Sequence, residues 1–168
     1  MVDAAKAAKV DLLIWSGLMP INEISGGKYS HVDHFDGKAA VTAYGRKSGV
    51  PFVDVQPGIY ATNWVGNSAL RKLADGSYEI AQPFHRDLPL PITDMESDYG
   101  LFVREAIESP AFGAGSEILT CSELISLDNV AKQLTESVFS VAYTSMFIDQ
   151  GLFCCSNRKE GDLPSDQL

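Results

Sequence analysis

The stretch SHVDHFDGKAAVTAYGRKSGVPFVDVQPGIYATNW, Ser30 to Trp64, decides how the rest of the chain is read. Its first half predicts a helix from about Asp33 to Lys47, with Asp33 as a candidate N-cap and Gly49 just past the end as a stop. Gly45 weakens that helix slightly. The apolar run Phe52-Val53-Asp54-Val55 follows as a strand, and Gln56-Pro57-Gly58-Ile59-Tyr60 is a turn with two backbone specialists side by side. A helix that delivers a cation, leading into a strand that ends in a permissive turn, is the local plan of a nucleotide-binding α/β sheet. In such sheets ligands sit beyond the carboxyl ends of the strands.

Upstream, Val2 to Lys9 is rich in strong helix formers and feeds the apolar run Val10–Ser16, which does not alternate and so reads as a strand covered on both faces. Leu18 to Tyr29, with Pro20, Gly26 and Gly27, reads as a loop. Downstream, a short helix is expected through Trp64 to Leu73, a turn at Asp75-Gly76 and a strand from Tyr78 to Ala81. Pro83, Pro89 and Pro91 impose an extended path. Tyr99, Phe102, Val103, Ala106 and Ile107 then share one helical face, with Asp94 as the expected N-cap and Pro110 as the stop. Glu117–Cys121 predicts a strand, Ser126 caps a helix through Val138, and Val141–Ser145 predicts a last strand. Asn157 to Leu168 is polar and aperiodic, a loose tail.

The chain has 168 residues, 45% of them hydrophobic, which is enough for one domain with a sizeable core. Its formal net charge of -9 opposes attraction to phosphate backbones and to anionic membranes, so direct nucleic-acid binding is not expected. No apolar run approaches the roughly 20 residues that span a bilayer. Cys121, Cys154 and Cys155 are odd in number and lack zinc spacing, which fits a reducing, intracellular compartment.

His34 and Lys38 stand at i and i+4, one turn apart on one helix face, and can address a single ligand. Lysine offers a point charge and three donors to a phosphate or to ribose hydroxyls, and histidine exchanges a proton near neutral pH. A solvated polar face is the alternative. Pro57-Gly58 permits close backbone approach to a ligand, or is a plain turn. His31, Asp33, His34 and Asp36 match no closed metal pattern, so no metal site is assigned. Cys154-Cys155 has no neighbouring cation that would activate a thiol.

Six segments taken in order, VDAAKAAK (Val2 to Lys9), IWSGL (Ile14 to Leu18), EISGGKY (Glu23 to Tyr29), HFDGK (His34 to Lys38), QPGIY (Gln56 to Tyr60) and DMESDYG (Asp94 to Gly100), resemble the NmrA-like family of atypical short-chain dehydrogenases. The resemblance runs from Met1 to about Met146. It implies an α/β fold, the C-terminal part of a Rossmann-type doubly wound parallel sheet with a small α/β substrate-side subdomain. It also implies a partial NAD(P)-binding domain over residues 1–150, after which the polar, aperiodic composition makes 151–168 a loose tail.

The same resemblance implies NADP(H) or NAD(H) as cofactor and a redox-responsive, transcription-regulating role in place of turnover. Lys38 matches the lysine on the nicotinamide ribose. Ser16, Pro57, Gly58, Ile59, Tyr60, Ala61 and Asn63 match positions that meet the cofactor. His34 stands where active short-chain dehydrogenases carry the tyrosine that protonates substrate, which leaves Lys38 and His34 as the candidate catalytic pair. The alternative is an NAD(P)H-dependent reductase of the isoflavone-reductase or quinone-reductase type.

The family's glycine-rich G-x-x-G-x-x-G turn does not occur in these residues. The expectation is therefore a truncated product that keeps the ribose and nicotinamide side, with cofactor affinity weakened or lost. Its first strand, around Leu12 to Ile14, would expose an edge open to self-association. A transcription-factor partner and a cytoplasmic or nuclear location complete what the family implies.

Overall fold

Phe52–Pro57, with every residue buried, is the strand on which the first of two units is built. The structure, a computed structural model, describes residues 1–66, 70–82, 85–137, 141–145, 147–149 and 152–154. In chain order the elements are α1 (Val2–Ala8), β1 (Leu13–Ser16), α2 (Ile21–Ile24), α3 (Asp33–Lys47), β2 (Phe52–Pro57), β3 (Ile59–Tyr60), α4 (Asn63–Gly66), β4 (Leu70–Lys72), β5 (Tyr78–Gln82) and β6 (Leu90–Thr93). They continue with α5 (Tyr99–Glu108), β7 (Glu117–Thr120), β8 (Glu123–Ile125), α6 (Leu127–Ser137), β9 (Val141–Ser145), β10 (Phe147–Asp149) and β11 (Leu152–Cys154).

The first unit, residues 1–61 and 91–123, holds a parallel sheet in the order β1-β2-β7. Leu13 pairs with Phe52 through to Ser16 with Val55, and Asp54 pairs with Glu117 through to Pro57 with Thr120. Parallel neighbours need a crossover, and α3 supplies the one from β1 to β2.

Side chains of β2 alternate between faces. Val53 and Val55, both 0% exposed, pack with Ile14, Ile118 and the α5 residues Tyr99, Val103 and Ala106. Burying each valine contributes roughly 1.5–3 kcal/mol. Phe52, Asp54 and Gln56 alternate to the other face, where Thr42 of α3 reaches Asp54. A Cβ on Gly45 would come within 2.2 Å of the Phe52 ring, so this glycine is what lets α3 lie close to the sheet. Helices on both faces make the sheet doubly wound.

Several local expectations change. β1 starts at Leu13 and is half-buried; among the described residues it pairs on one edge only, with β2. The loop after it contains the turn of helix α2, tied to α3 by the Asn22 N–H donating to Asp36 Oδ1 at 3.0 Å. α3 has the expected bounds, but Asp33 is its first helical residue. Val32 is the N-cap, and its carbonyl receives the Phe35 and Asp36 N–H groups. Asp94 does not cap α5. It accepts the Glu96 and Ser97 N–H groups in a turn of its own, and Asp98 takes the cap position. Those two donors hold the Asp94 carboxyl below its usual range.

The second unit, residues 62–90 and 124–168, has β4 antiparallel to β5 and β5 parallel to β9. The helix expected through Leu73 is instead α4 followed by β4, because the Gly76 turn (φ 88°) folds Leu70–Lys72 back on Tyr78–Ile80 as a hairpin. Arg71 pairs with the buried Glu79 across that hairpin. Ser126 caps α6 as expected, its Oγ receiving the Asn129 N–H, and Leu127, Val130 and Ala131 are buried. β10 and β11 pair antiparallel. Val138, Cys155 and residues 157–168 lie outside the described residues, as does all of the expected tail except β11 within its first few residues. Among the described residues no helix is long and apolar enough to cross a membrane.

Candidate functional site

β1 ends in Ser16 and β2 ends in Gln56-Pro57, so the carboxyl ends of two parallel neighbours lie side by side. α3 carries Lys38 to this end, where its Nζ reaches Ser16 Oγ at 3.5 Å. A third group joins them from the start of α5: Tyr99 Oη lies 3.0 Å from Ser16 Oγ and 3.0 Å from the Val55 carbonyl oxygen. Ser16, Lys38 and Tyr99 are each only partly buried, so the cluster is open to a ligand.

Burial raises the Tyr99 phenol above its ordinary pKa; the hydrogen bond with Ser16 works the other way, and the charges of Tyr60 and Asp54 add to the rise. The phenol is therefore neutral at physiological pH. Sequence reasoning brought Ser16 and Lys38 together only through resemblance, and it placed Tyr99 in the helix stripe without a role. A tyrosine on an apolar stripe needs a partner for its hydroxyl, and that is the signal that marks it.

His34 is exposed and stacks edge-on against Phe35, ring centroids 4.9 Å apart. It shares α3 with Lys38, but the cluster at Ser16 is built from Lys38 and Tyr99.

The turn after β2 is organised differently. The Gly58 N–H donates to Thr93 Oγ1 and to the Thr120 carbonyl, each at 3.0 Å, and the Ala61 N–H donates to the Thr93 carbonyl. Ile59 and Tyr60 form β3, paired parallel with Ile92 and Thr93 of β6. A Cβ at Gly58 would stand 2.2 Å from the Pro91 carbonyl oxygen. Glycine is thus required here by the neighbouring strand, and Pro57 is buried within β2. Asn63 opens α4 in the second unit.

Beneath Gly17 lies a second polar feature. Asp54, 0% exposed, accepts from Thr42 Oγ1 at 3.1 Å and from Gln56 Nε2 at 2.9 Å, both on Oδ2. Its Oδ1 and the Gln56 Oε1 find no partner among the described residues. A Cβ on Gly17 would collide with Asp54 Oδ1 at 2.0 Å, so glycine after β1 makes room for that carboxylate. On the α3 side a hollow of about 560 Å³ is lined by Leu18, Asn22, Asp36, Thr42, Gln56 and the ion-paired Arg46 and Glu117, apart from Ser16 and Lys38. Among the described residues no three His, Cys, Asp or Glu side chains gather as a metal site.

A three-donor ammonium anchored beside hydroxyl oxygens suits the vicinal hydroxyls of a sugar, so the residues present fit the ribose end of a dinucleotide.

The family model of the NmrA-like family matches residues 1–146. The nitrogen metabolite repression protein nmrA of Emericella nidulans is 33% identical over 105 residues, 60% of this chain and 29% of its own length. The crystal structure of Nmra, a negative transcriptional regulator, in complex with NAD is similar at 27% identity and a TM-score of 0.75, over 86% of this chain and 46% of that one. The complex of Nmra with NADP is similar at 28% identity and a TM-score of 0.74, over 84% and 45%. The chain spans less than half the length of these relatives.

Proposed function

This chain belongs to the NmrA-like family, and from that premise we propose that it is a regulatory protein that takes up NADP(H) or NAD(H) at the carboxyl ends of β1 and β2. The observation that carries the proposal is the Lys38–Ser16–Tyr99 cluster at those strand ends. The chain's likeness to Nmra structures in complex with NAD and with NADP supports the choice of ligand.

Lys38 holds the nicotinamide ribose through its ammonium, and Ser16 adds a hydroxyl beside it. The nicotinamide, when bound, supplies hydride chemistry. The chain's own part is to bind and to report which form is bound, without turnover, a reading supported by the exposed His34 standing on α3 where active short-chain dehydrogenases carry the proton-donating tyrosine. The partner is a protein, such as a transcription factor: a net charge of -9 repels nucleic acid. Such a role places the protein in the cytoplasm or nucleus. The edge of β1 that pairs with no strand among the described residues offers a route to self-association.

Thermal unfolding with added NADPH tests the reading. The midpoint should climb as ligand passes its dissociation constant, since ligand at about 100 times that constant adds ~2.7 kcal/mol. A flat midpoint at millimolar NADPH would remove cofactor binding. Steady NADPH oxidation with quinones or enones, lost in Lys38→Ala, would replace the regulator by a reductase.

A further inference from the structure

Three polar groups from three separated segments meet at the end of β1, and their donors and acceptors can be assigned. The Val55 carbonyl can only accept, so the single phenolic proton of Tyr99, 3.0 Å away, goes to it. The phenolic oxygen is then an acceptor for the Ser16 hydroxyl, also at 3.0 Å. Ser16 Oγ, having given its proton to Tyr99, is an acceptor for the Lys38 ammonium at 3.5 Å.

We propose that Tyr99 is a positioning residue that acts through Ser16: a one-way chain from Lys38 to Ser16 to Tyr99 to the Val55 carbonyl fixes the ammonium beside the strand ends and leaves its remaining N–H donors for the vicinal hydroxyls of a ribose. The ligand class rests on the NAD(P)-binding reading above; the chain of hydrogen bonds does not.

Two consequences follow from the polarity of the chain. Without Tyr99 the Ser16 hydroxyl has no fixed direction, and the lysine loses its anchor. A phenol whose proton is committed to a backbone carbonyl is also not aimed at a substrate, so Tyr99 does not take the place of the tyrosine for which His34 stands. Burial keeps that phenol protonated well above neutrality, in accord with a fixed donor. The cluster therefore holds a phenol, a hydroxyl and an ammonium, yet is wired for binding.

The test uses the full chain with Tyr99→Phe, which keeps the ring against the core cluster that contains Val53 and Val55, and Ser16→Ala as a second variant that leaves the α5 packing intact. Two quantities are read in each: the NMR signals of the Lys38 ε-methylene and ammonium in the ligand-free protein, assigned through Lys38→Ala, and NADPH affinity by calorimetry. Both variants should shift and broaden the Lys38 signals, and both should bind NADPH about threefold to tenfold more weakly, the change expected for loss of one hydrogen bond.

Unchanged Lys38 signals with unchanged affinity would overturn the proposal. If the folded wild type binds no NADPH, the ligand reading fails, and the Lys38 signals alone decide the relay: shifted in both variants they support it, unshifted they overturn it.

Discussion

Two stretches at the carboxyl end of one sheet, Ser16 with Lys38 and Pro57 to Ala61, both read from the sequence as cofactor contacts and are built in opposite ways. At the first, side chains from β1, α3 and α5 converge and an ammonium retains donors. At the second, the Gly58 and Ala61 N–H groups are consumed by Thr93 and Thr120, and the space beside Gly58 is filled by Pro91. The difference teaches that the backbone of the glycine turn is tied into the fold, while on the function proposed above the lysine serves the ligand. Changes at the turn should cost stability; changes at the lysine should cost binding.

The largest effect is expected at Gly58→Ala. A methyl group placed 2.2 Å from a backbone oxygen forces β3 and β6 apart, and overpacking of this kind costs about 3 kcal/mol, near the top of the usual range. Urea unfolding would measure it; a loss below ~0.5 kcal/mol would show that the turn adjusts easily.

Thr93→Val comes next. Thr93, 0% exposed, receives the Gly58 N–H and donates to the Thr120 carbonyl at 3.2 Å, so removing its hydroxyl takes away one of the two acceptors of the Gly58 N–H and one donor to the Thr120 carbonyl. The expected loss is about 0.5–1.5 kcal/mol in the same assay, with Thr93→Ser recovering most of the polar part.

Tyr99→Phe probes the other stretch through pH. The phenol is raised from 10.0 in the folded state, so above about pH 10 the unfolded chain ionises first and binds fewer protons than the native one. Stability contributed by the neutral phenol is complete below that pH and declines as pH rises through the folded pKa. In Tyr99→Phe the alkaline decline of the unfolding free energy should be shallower; an identical slope would mean the phenol is not buried as described. The smallest effect belongs to His34→Ala, within ~0.5 kcal/mol, because an exposed side chain stacked on Phe35 holds little.

What was legible in the sequence follows the range of the interaction. The bounds of α3 and the core of β2 were readable because their signals are local: Gly49 at φ 82° stops the helix, and Phe52–Val55 is a short apolar run. The α5 stripe was readable by its period, with Ala106 buried and Ile107 mostly exposed at its margin. β6 was missed because Pro91 sits among its four residues; that proline is exposed, and Ile92 and Thr93 make the pairing with β3. The N-caps of α3 and α5 were misread, though that of α6 was not, because an acidic residue before a helix also suits an Asx turn, as at Asp94. At the site, Lys38 was legible by spacing and family resemblance. Tyr99 was not, since 83 residues separate it from Ser16 and no local pattern encodes that contact.

The most direct measurement is calorimetric titration of NADPH into the wild type and Lys38→Ala side by side, with unfolding curves of both. The account predicts saturable binding by the wild type, at least about tenfold weaker in Lys38→Ala, the loss expected for a charged hydrogen bond, with stabilities within ~0.5 kcal/mol of each other. Equal isotherms for two equally folded proteins, or no binding by a folded wild type, would contradict it.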